Sequence, residues 1–94
     1  MKKLKIVEFT GPTCGVCKMI AGVVAKTVSM YPETVEYEEV CADSEENMKR
    51  AVAAGVKSVP VFVFYNEEGV EVDRHAGGLS LVTFKGLIEK HLDK

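Results

Sequence analysis

The sequence is short of several residue types, and each shortage excludes a class of protein. Its 94 residues include three cysteines, three prolines and no tryptophan. Three cysteines are too few, and odd in number, for the disulfide framework that stabilises small secreted domains. No apolar run approaches the roughly 18 residues that a membrane span needs, so no membrane association is expected.

An excess of positive charge is also lacking. The formal net charge is -2 at pH 7, which predicts no basic face, so nucleic acid is not an expected partner. The first residues are basic, but no apolar stretch of about 7–15 residues follows them, so we expect no signal peptide. We therefore expect a cytoplasmic protein, in a compartment that keeps thiols reduced. There, a close cysteine pair is more often catalytic or metal-binding than structural.

The remaining composition is that of an ordinary globular protein. Hydrophobic residues make up 47% of the chain and charged residues 28%, and the length predicts one domain over residues 1–94. Four short segments have the β-branched or alternating patterns that predict strands. They are residues 4–9, 35–40, 59–65 and 70–74.

Three amphipathic segments predict helices. The first begins at Gly15 and ends before Pro32, because the residue before a proline is pushed out of the helical region. The second is capped by Asp43 or Ser44, with a capping box in which Glu46 pairs with Asp43. The third follows a cap at Ser80. The positions expected to face inward are Val16, Met19, Ile20, Val23, Val24 and Val28 in the first helix, Met48, Ala51 and Val52 in the second, and Leu81, Phe84, Leu87, Ile88 and Leu92 in the third.

The predicted order of elements is βαβαββα, an α/β fold. A helical crossover between the first two strands implies a right-handed parallel pair, and the short loop over residues 66–69 implies an antiparallel hairpin of the last two. We expect a four-stranded mixed sheet with helices on both faces.

One cysteine pair carries the chemistry. Cys14 and Cys17 are three residues apart, where a strand and loop lead into the first turn of an amphipathic helix. Free backbone N–H groups and the helix dipole stabilise an anion there, so the pKa of the Cys14 thiol is expected to fall toward neutrality. Cys17 lies one turn further on, where it is shielded. We expect Cys14 to attack a substrate disulfide and Cys17 to resolve the mixed disulfide.

A metal half-site is the alternative for this pair. A structural zinc ion needs four ligands, and the other candidates, Cys41, His75 and His91, show no paired spacing. The sequence thus favours a redox dithiol with no metal and no cofactor. Cys41 is expected to be a small core residue, and the acidic run that contains Glu39 a solvated face.

Glu8 is an unusual residue in a strand. An edge position facing solvent would explain it simply. However, a first strand followed by a helical crossover is usually central in its sheet. We therefore favour a buried, functional carboxyl group.

Three separated segments resemble the thioredoxin family. They are the strand and cysteine loop (residues 6–9 and 11–21), the Ser-Val-Pro segment (58–60) and the Gly-Gly-Leu-Ser segment (77–80). The resemblance spans residues 4–93 and implies a thioredoxin fold, in a short form nearer to glutaredoxin in size. It implies a reductase of protein disulfides that cycles between a Cys14–Cys17 dithiol and disulfide.

The resemblance also implies roles for single residues. Glu8 falls where the family has a buried acid beneath the second cysteine, and there it would accept a proton from Cys17. Pro60 falls on the family's cis-proline, which leaves the backbone of Val59 free to pair with a substrate peptide. Gly77 would let that peptide approach closely, and Thr13 completes the substrate-binding set.

Several positions depart from the family pattern. Thr13 replaces the usual Trp, Val16 and Gly22 replace prolines, and Glu8 replaces the usual Asp. The residues between the cysteines tune the reduction potential, so the resemblance does not fix it. The partners expected for such a protein, acting as a monomer, are disulfide-containing proteins and a separate electron donor of the thioredoxin-reductase type. The alternatives are a glutaredoxin-like, glutathione-dependent reductase, a non-catalytic binding module of the same fold, and a cysteine-based metal carrier.

Overall fold

A computed structural model describes residues 2–92 of the chain. Strands and helices follow one another in the predicted order. They are β1 (Leu4–Thr10), α1 (Gly15–Val28), β2 (Val35–Cys41), α2 (Glu45–Ala53), β3 (Val61–Tyr65), β4 (Glu71–Ala76) and α3 (Leu81–Leu92). Within residues 2–92, none of the helices combines the length and apolarity that crossing a bilayer requires.

The strands form one mixed sheet in the order β2-β1-β3-β4. β1 pairs with β2 in parallel and with β3 antiparallel, and β3 and β4 form the antiparallel hairpin. The predicted four-stranded sheet is confirmed, and β1 is an inner strand. In the parallel pair Glu8 lies opposite Glu39, and Ile6 lies opposite Tyr37.

Helices cover both faces of the sheet, as predicted. Successive side chains of a strand point to opposite faces, so each inner strand contributes to two core clusters. The cluster under α1 and α3 contains Leu4, Ile6, Val24, Val35, Phe62, Phe64, Phe84 and Ile88. The cluster under α2 contains Val7, Phe9, Val40, Ala51, Val61 and Val63. Glu8 alternates with the second set, so it lies on the face that α1 covers.

Ser44, one of the two predicted caps, is the residue that caps α2. Its Oγ accepts a hydrogen bond of 3.2 Å from the backbone N–H of Asn47. The capping box expected between Asp43 and Glu46 is wrong, because with Ser44 as the cap the third helical residue is Asn47. Gly55 follows the helix with a φ of 74°, a conformation that glycine adopts without steric cost.

Several apolar side chains expected to face inward are exposed instead. Met19 is 81% exposed, Met48 55% and Val52 76%, and the same expectation is wrong for Val16. A helix lying on a sheet this small contacts it along a narrow stripe, and Ala51 is the buried residue of α2. Helical spacing defines an apolar side but not its covered width.

The third and fourth strands begin later than predicted, at Val61 and Glu71. Pro60 lacks the N–H that a ladder needs, although its carbonyl accepts a 2.8 Å hydrogen bond from the N–H of Gly77. Cys41 ends β2 in a half-buried position, so the expectation of a plain core residue is wrong in degree.

Candidate active site

The two cysteines lie at the N-terminus of α1. Cys14 is the N-cap residue, with an extended backbone, and its Sγ accepts a hydrogen bond of 3.1 Å from the backbone N–H of Cys17. A disulfide joins the two residues, whose Cα atoms are 5.3 Å apart. The sulfur of Cys14 therefore sits among the free N–H groups of the first turn, where a thiolate is stabilised.

Exposure distinguishes the two cysteines. Cys14 is half-buried in the loop, whereas Cys17 is buried under the first helical turn with 8% of its surface exposed. Thr13 and Val16 are exposed on either side of Cys14. A bulky disulfide can therefore approach Cys14 from solvent, while the buried Cys17 is positioned to reach the Sγ of Cys14.

The segment before β3 forms one side of the site. The Val59–Pro60 peptide bond is cis, Pro60 is buried and Val59 is partly exposed. The segment contacts the cysteine loop, because a methyl group added at Gly11 would lie 3.3 Å from Cγ2 of Val59. Hydrogen bonding between Pro60 and Gly77 joins it to the loop after β4.

That glycine loop packs against the start of α1, next to the Pro60 segment. Gly77 has a φ of 94°, which a residue with a side chain rarely adopts. A methyl group added at Gly78 would lie 3.1 Å from Cγ1 of Val16, so the loop packs closely against the residues between the cysteines. The structure thus gathers the three segments that the sequence singled out around one disulfide.

Glu8 lies on the inner strand β1, with 3% of its surface exposed. Burial raises the pKa of its carboxyl group above the usual value, a hydrogen bond from Tyr37 offsets part of that rise, and the charge of Glu39 adds to it. A carboxyl group with a raised pKa can accept and release a proton nearer neutral pH.

Glu8 and Cys17 line the same small cavity. Its volume is about 140 Å³, and its walls come from β1, α1 and β2. A volume of this size can accommodate water, which carries protons between groups that do not touch. Glu8 and Cys17, which the sequence predicted to be neighbours, therefore face the same cavity.

Sequence reasoning missed three polar residues of this cavity, Tyr37, Thr10 and Glu39. The Tyr37 hydroxyl donates a hydrogen bond of 2.5 Å to Oε1 of Glu8, and the Thr10 hydroxyl donates one of 3.0 Å to Oε2 of Glu39. Glu39 is exposed, as expected of a solvated acidic face, yet it also lines the cavity. Tyr37 and Glu39 alternate along β2 on the face of Glu8, a signal that becomes visible only once the β1–β2 register is known.

A metal centre finds no support in the described part of the chain. Over residues 2–92, no three or more His, Cys, Asp or Glu side chains are grouped so that they could hold a metal ion. His75 places its Nε2 3.2 Å from the carbonyl oxygen of Gly78, and His91 places its Nε2 2.8 Å from Oδ2 of Asp73. The ring nitrogen of His75 therefore contacts a loop carbonyl, and that of His91 contacts a strand carboxylate.

Comparisons with known proteins agree with this geometry. The family model described as Thioredoxin matches residues 1–90. Thioredoxin 1 of Synechococcus elongatus is 31% identical over 87 residues, which cover 93% of this chain and 78% of that protein. The X-ray structure of Fasciola hepatica thioredoxin superposes with a TM-score of 0.83 at 34% identity, covering 95% of this chain and 81% of that one.

One further relative is a larger protein. NADPH-dependent thioredoxin reductase 3 of Arabidopsis thaliana is 33% identical over 63 residues, which cover 67% of this chain and 12% of that protein. A segment similar to this chain is therefore part of a polypeptide named as a reductase.

Proposed function

Because this chain belongs to the thioredoxin family and is a thiol–disulfide oxidoreductase, we propose that it reduces protein disulfides through Cys14 and Cys17. One observation supports this most directly. An accessible cysteine at a helix N-terminus is bonded to a buried cysteine one turn further on. When it is reduced to the dithiol, that pair carries the two electrons on its own sulfurs, so the proposed reaction needs no bound cofactor.

The reaction runs in two exchange steps. In the first, the Cys14 thiolate attacks one sulfur of the substrate disulfide, whose S–S bond breaks as the Cys14–substrate mixed disulfide forms and one substrate thiolate leaves. In the second, Cys17 gives its proton to the Glu8 carboxylate and its thiolate attacks the Sγ of Cys14. The Cys14–Cys17 disulfide forms, and the second substrate thiolate leaves. The protein is oxidised by two electrons, and the substrate gains them.

The substrate peptide is proposed to lie between the two loops that flank Cys14. Pro60 contributes no N–H, so the backbone of Val59 is left for an extended peptide, while Thr13 borders Cys14. Gly77 lacks a side chain where the peptide would pass. Recognition through backbone groups suits a reductase that acts on many different sequences.

Regeneration requires an electron donor from outside the chain. The thioredoxin reductase that includes a segment similar to this chain supports a donor of the thioredoxin-reductase type. We place the reaction in the cytoplasm, where such donors keep thiols reduced. We further propose that residues 1–94 act as one domain and as a monomer, with no role for nucleic acid or membrane.

Insulin reduction tests the activity. With dithiothreitol as electron donor, the wild-type protein should accelerate insulin precipitation, and Cys14→Ser should abolish the acceleration. Cys41→Ser is the matched control, since Cys41 lies outside the disulfide, and it should retain full activity. Equal rates with and without the wild-type protein would reject the proposal, and acceleration only with glutathione would favour the glutathione-dependent alternative.

Two-phase kinetics test the division of labour. An aromatic disulfide whose thiolates absorb light releases one thiolate when Cys14 attacks and the second when Cys17 resolves. Cys17→Ser should show the first phase alone and remain covalently modified, as mass spectrometry would detect. Glu8→Gln should slow the second phase more than the first, because the proton transfer belongs to that step. Equal slowing of both phases would reject the role of Glu8.

A further inference from the structure

We propose that Tyr37 and Glu39 are positioning residues that act on Glu8 with opposite signs and thereby set the pH range in which Cys17 resolves the mixed disulfide. The inference rests on the proposed function, because it assumes that Glu8 takes the proton of Cys17. Neither residue belongs to the cysteine motif or to the loops around it. Both come from β2, the strand that lies beside β1 in the sheet.

Tyr37 fixes one oxygen of the carboxyl group. Its hydroxyl donates to Oε1 of Glu8, so Oε2 is the oxygen left to take a proton from the cavity side. Burial, more than its contact with Glu8, raises the pKa of the Tyr37 hydroxyl, which keeps it a donor throughout the working pH range. A donor of this kind stabilises the carboxylate over the acid.

Glu39 acts in the other direction. It lies directly opposite Glu8 in the parallel register, and the hydroxyl of Thr10, itself only 3% exposed, donates to its Oε2. This hydrogen bond holds the Glu39 carboxylate at the cavity instead of leaving it free in solvent. A second negative charge at the cavity favours the protonated form of Glu8.

In the part of the chain that the structure describes, no Lys, Arg or His side chain lines the cavity, so no positive charge there offsets the influence of Tyr37 and Glu39 on Glu8. From α1 the cavity receives Ala21, Val24, Ala25 and the titratable Cys17, and from β3 the residue opposite Glu8 is the buried Phe62. The polar and charged groups that line the cavity with Glu8 are therefore the Tyr37 hydroxyl, the Glu39 carboxylate, the Thr10 hydroxyl and Cys17, which carries a thiol once the disulfide is reduced. Tyr37 and Glu39 therefore act in opposite directions on the protonation of one carboxyl group, that of Glu8.

The proton follows a balanced path. Cys17 loses its proton to Oε2 of Glu8 as its thiolate forms the bond to Cys14, and the bond from Cys14 to the substrate breaks. The acid form of Glu8 then returns the proton to solvent or to the departing thiolate. The second phase should therefore slow at low pH, where Glu8 is already protonated. In a plot of its rate against pH, the part in which the rate falls toward low pH, the acidic limb, reports on the coupled Glu8–Cys17 pair.

The experiment follows the second phase with the aromatic disulfide between pH 5 and 8. Tyr37→Phe keeps the ring and removes the hydroxyl, so the acidic limb should move to higher pH. On that limb the rate should fall about two- to tenfold, the equivalent of one hydrogen bond. Glu39→Gln keeps an acceptor for Thr10 and removes the charge, so the limb should move to lower pH, with a rate increase of about threefold or less because Glu39 is exposed.

Matched controls come from the same chain. Tyr31→Phe removes a hydroxyl that donates to Glu89, and Glu36→Gln removes a charge from β2 on the opposite face of the sheet. Both should leave the limb in place. The inference is overturned if the two test variants leave the limb unchanged, shift it in the same direction, or shift it no more than the controls. Absence of both phases in the wild-type protein would instead reject the proposed function.

Discussion

Glu8 is a carboxyl group placed on an inner strand of the sheet, where ionisation costs free energy. Its surface is 3% exposed, and burial is the first cause of its raised pKa. A buried acid is expensive for stability unless its charged form is compensated, and such groups concentrate at functional sites. The single hydrogen bond from Tyr37 only partly compensates the charge.

Glu8→Gln should therefore change how stability depends on pH. The folded protein holds the Glu8 proton more tightly than the unfolded chain, so the wild type loses stability as pH rises from the unfolded pKa through the raised folded pKa. Glu8→Gln lacks this loss. Its melting temperature should match that of the wild type near pH 4 and exceed it near pH 8, as circular dichroism of both oxidised proteins would show.

Glu36→Gln is the control for this comparison, because Glu36 is exposed on the same sheet. Its difference from the wild type should stay small at every pH. A Glu8→Gln difference that remained constant from pH 4 to pH 8 would contradict a raised pKa.

The residues of the site differ in how far the sequence could predict them. Cys14 and Cys17 lie three residues apart at the start of one helix, so a local pattern was sufficient. Predicting that Glu8 is buried required one further inference about topology, that a strand followed by a helical crossover is central in its sheet. Tyr37 and Glu39 are 29 and 31 residues away from Glu8 along the chain, and their contact with its cavity depends on the exact register of the parallel pair, which no local pattern contains.

At the level of elements, the N-terminus of α1 is expected to make the Cys14 thiol more acidic. The N-cap position places its sulfur against the backbone N–H of Cys17, so the reduced thiol should ionise below the free value of about 8.5. Thiolate absorbance titrated in a Cys17→Ser, Cys41→Ser background would isolate Cys14. A pKa at or above the free value would contradict this role of the helix N-terminus.

Gly77 and Gly69 have similar backbone conformations, but only Gly77 lies in the proposed substrate-binding loop. Gly77 and Gly69 both have positive φ angles, 94° and 79°, and both have open space around an added methyl group. Replacing either by Ala should lower the free energy of unfolding by about 1–2 kcal/mol, because a side chain is strained in that conformation. Chemical denaturation would measure the loss.

Activity should distinguish these two variants. Gly77→Ala should reduce kcat/KM for insulin while sparing the first phase with the small aromatic disulfide, whereas Gly69→Ala, in the β3–β4 turn, should alter neither. Normal insulin reduction by Gly77→Ala would remove Gly77 from the substrate-binding set.

The order of the elements was easier to predict than their packing. Alternating or helical spacing identified every strand and helix, because those periods are local properties of the chain. Met19 and Val52 occupy helical apolar positions and yet are exposed. The width of the sheet beneath a helix decides how many of its apolar side chains are buried. The sequence of the helix alone does not show that width.

On the scale of the whole molecule, an aromatic cluster joins the sheet to α3. The ring of Phe84 lies 5.2 Å from that of Phe62 and 6.3 Å from that of Phe64, measured between centroids. All three side chains are fully buried. Since Phe62 is also the β3 partner of Glu8, this cluster supports the strand on which the acid lies.

Phe84→Ala should destabilise the protein by about 3–5 kcal/mol, because it removes a buried ring and leaves a cavity. Val82→Ala on the same helix is the control, since Val82 is 78% exposed, and should cost within about 0.5 kcal/mol. Urea unfolding monitored by circular dichroism would measure both. Similar losses for the two variants would show that α3 is not anchored through Phe84.

The two edges of the sheet are lined with charge. Strand β2 carries Glu36, Glu38 and Glu39, and β4 carries Glu71, Asp73 and Arg74. Charged edge strands discourage other chains from adding to a sheet. A reductase loosens the proteins it acts on, and the segments it frees are natural candidates for pairing with an open edge. The charged borders would let this protein handle partly unfolded clients without aggregating with them.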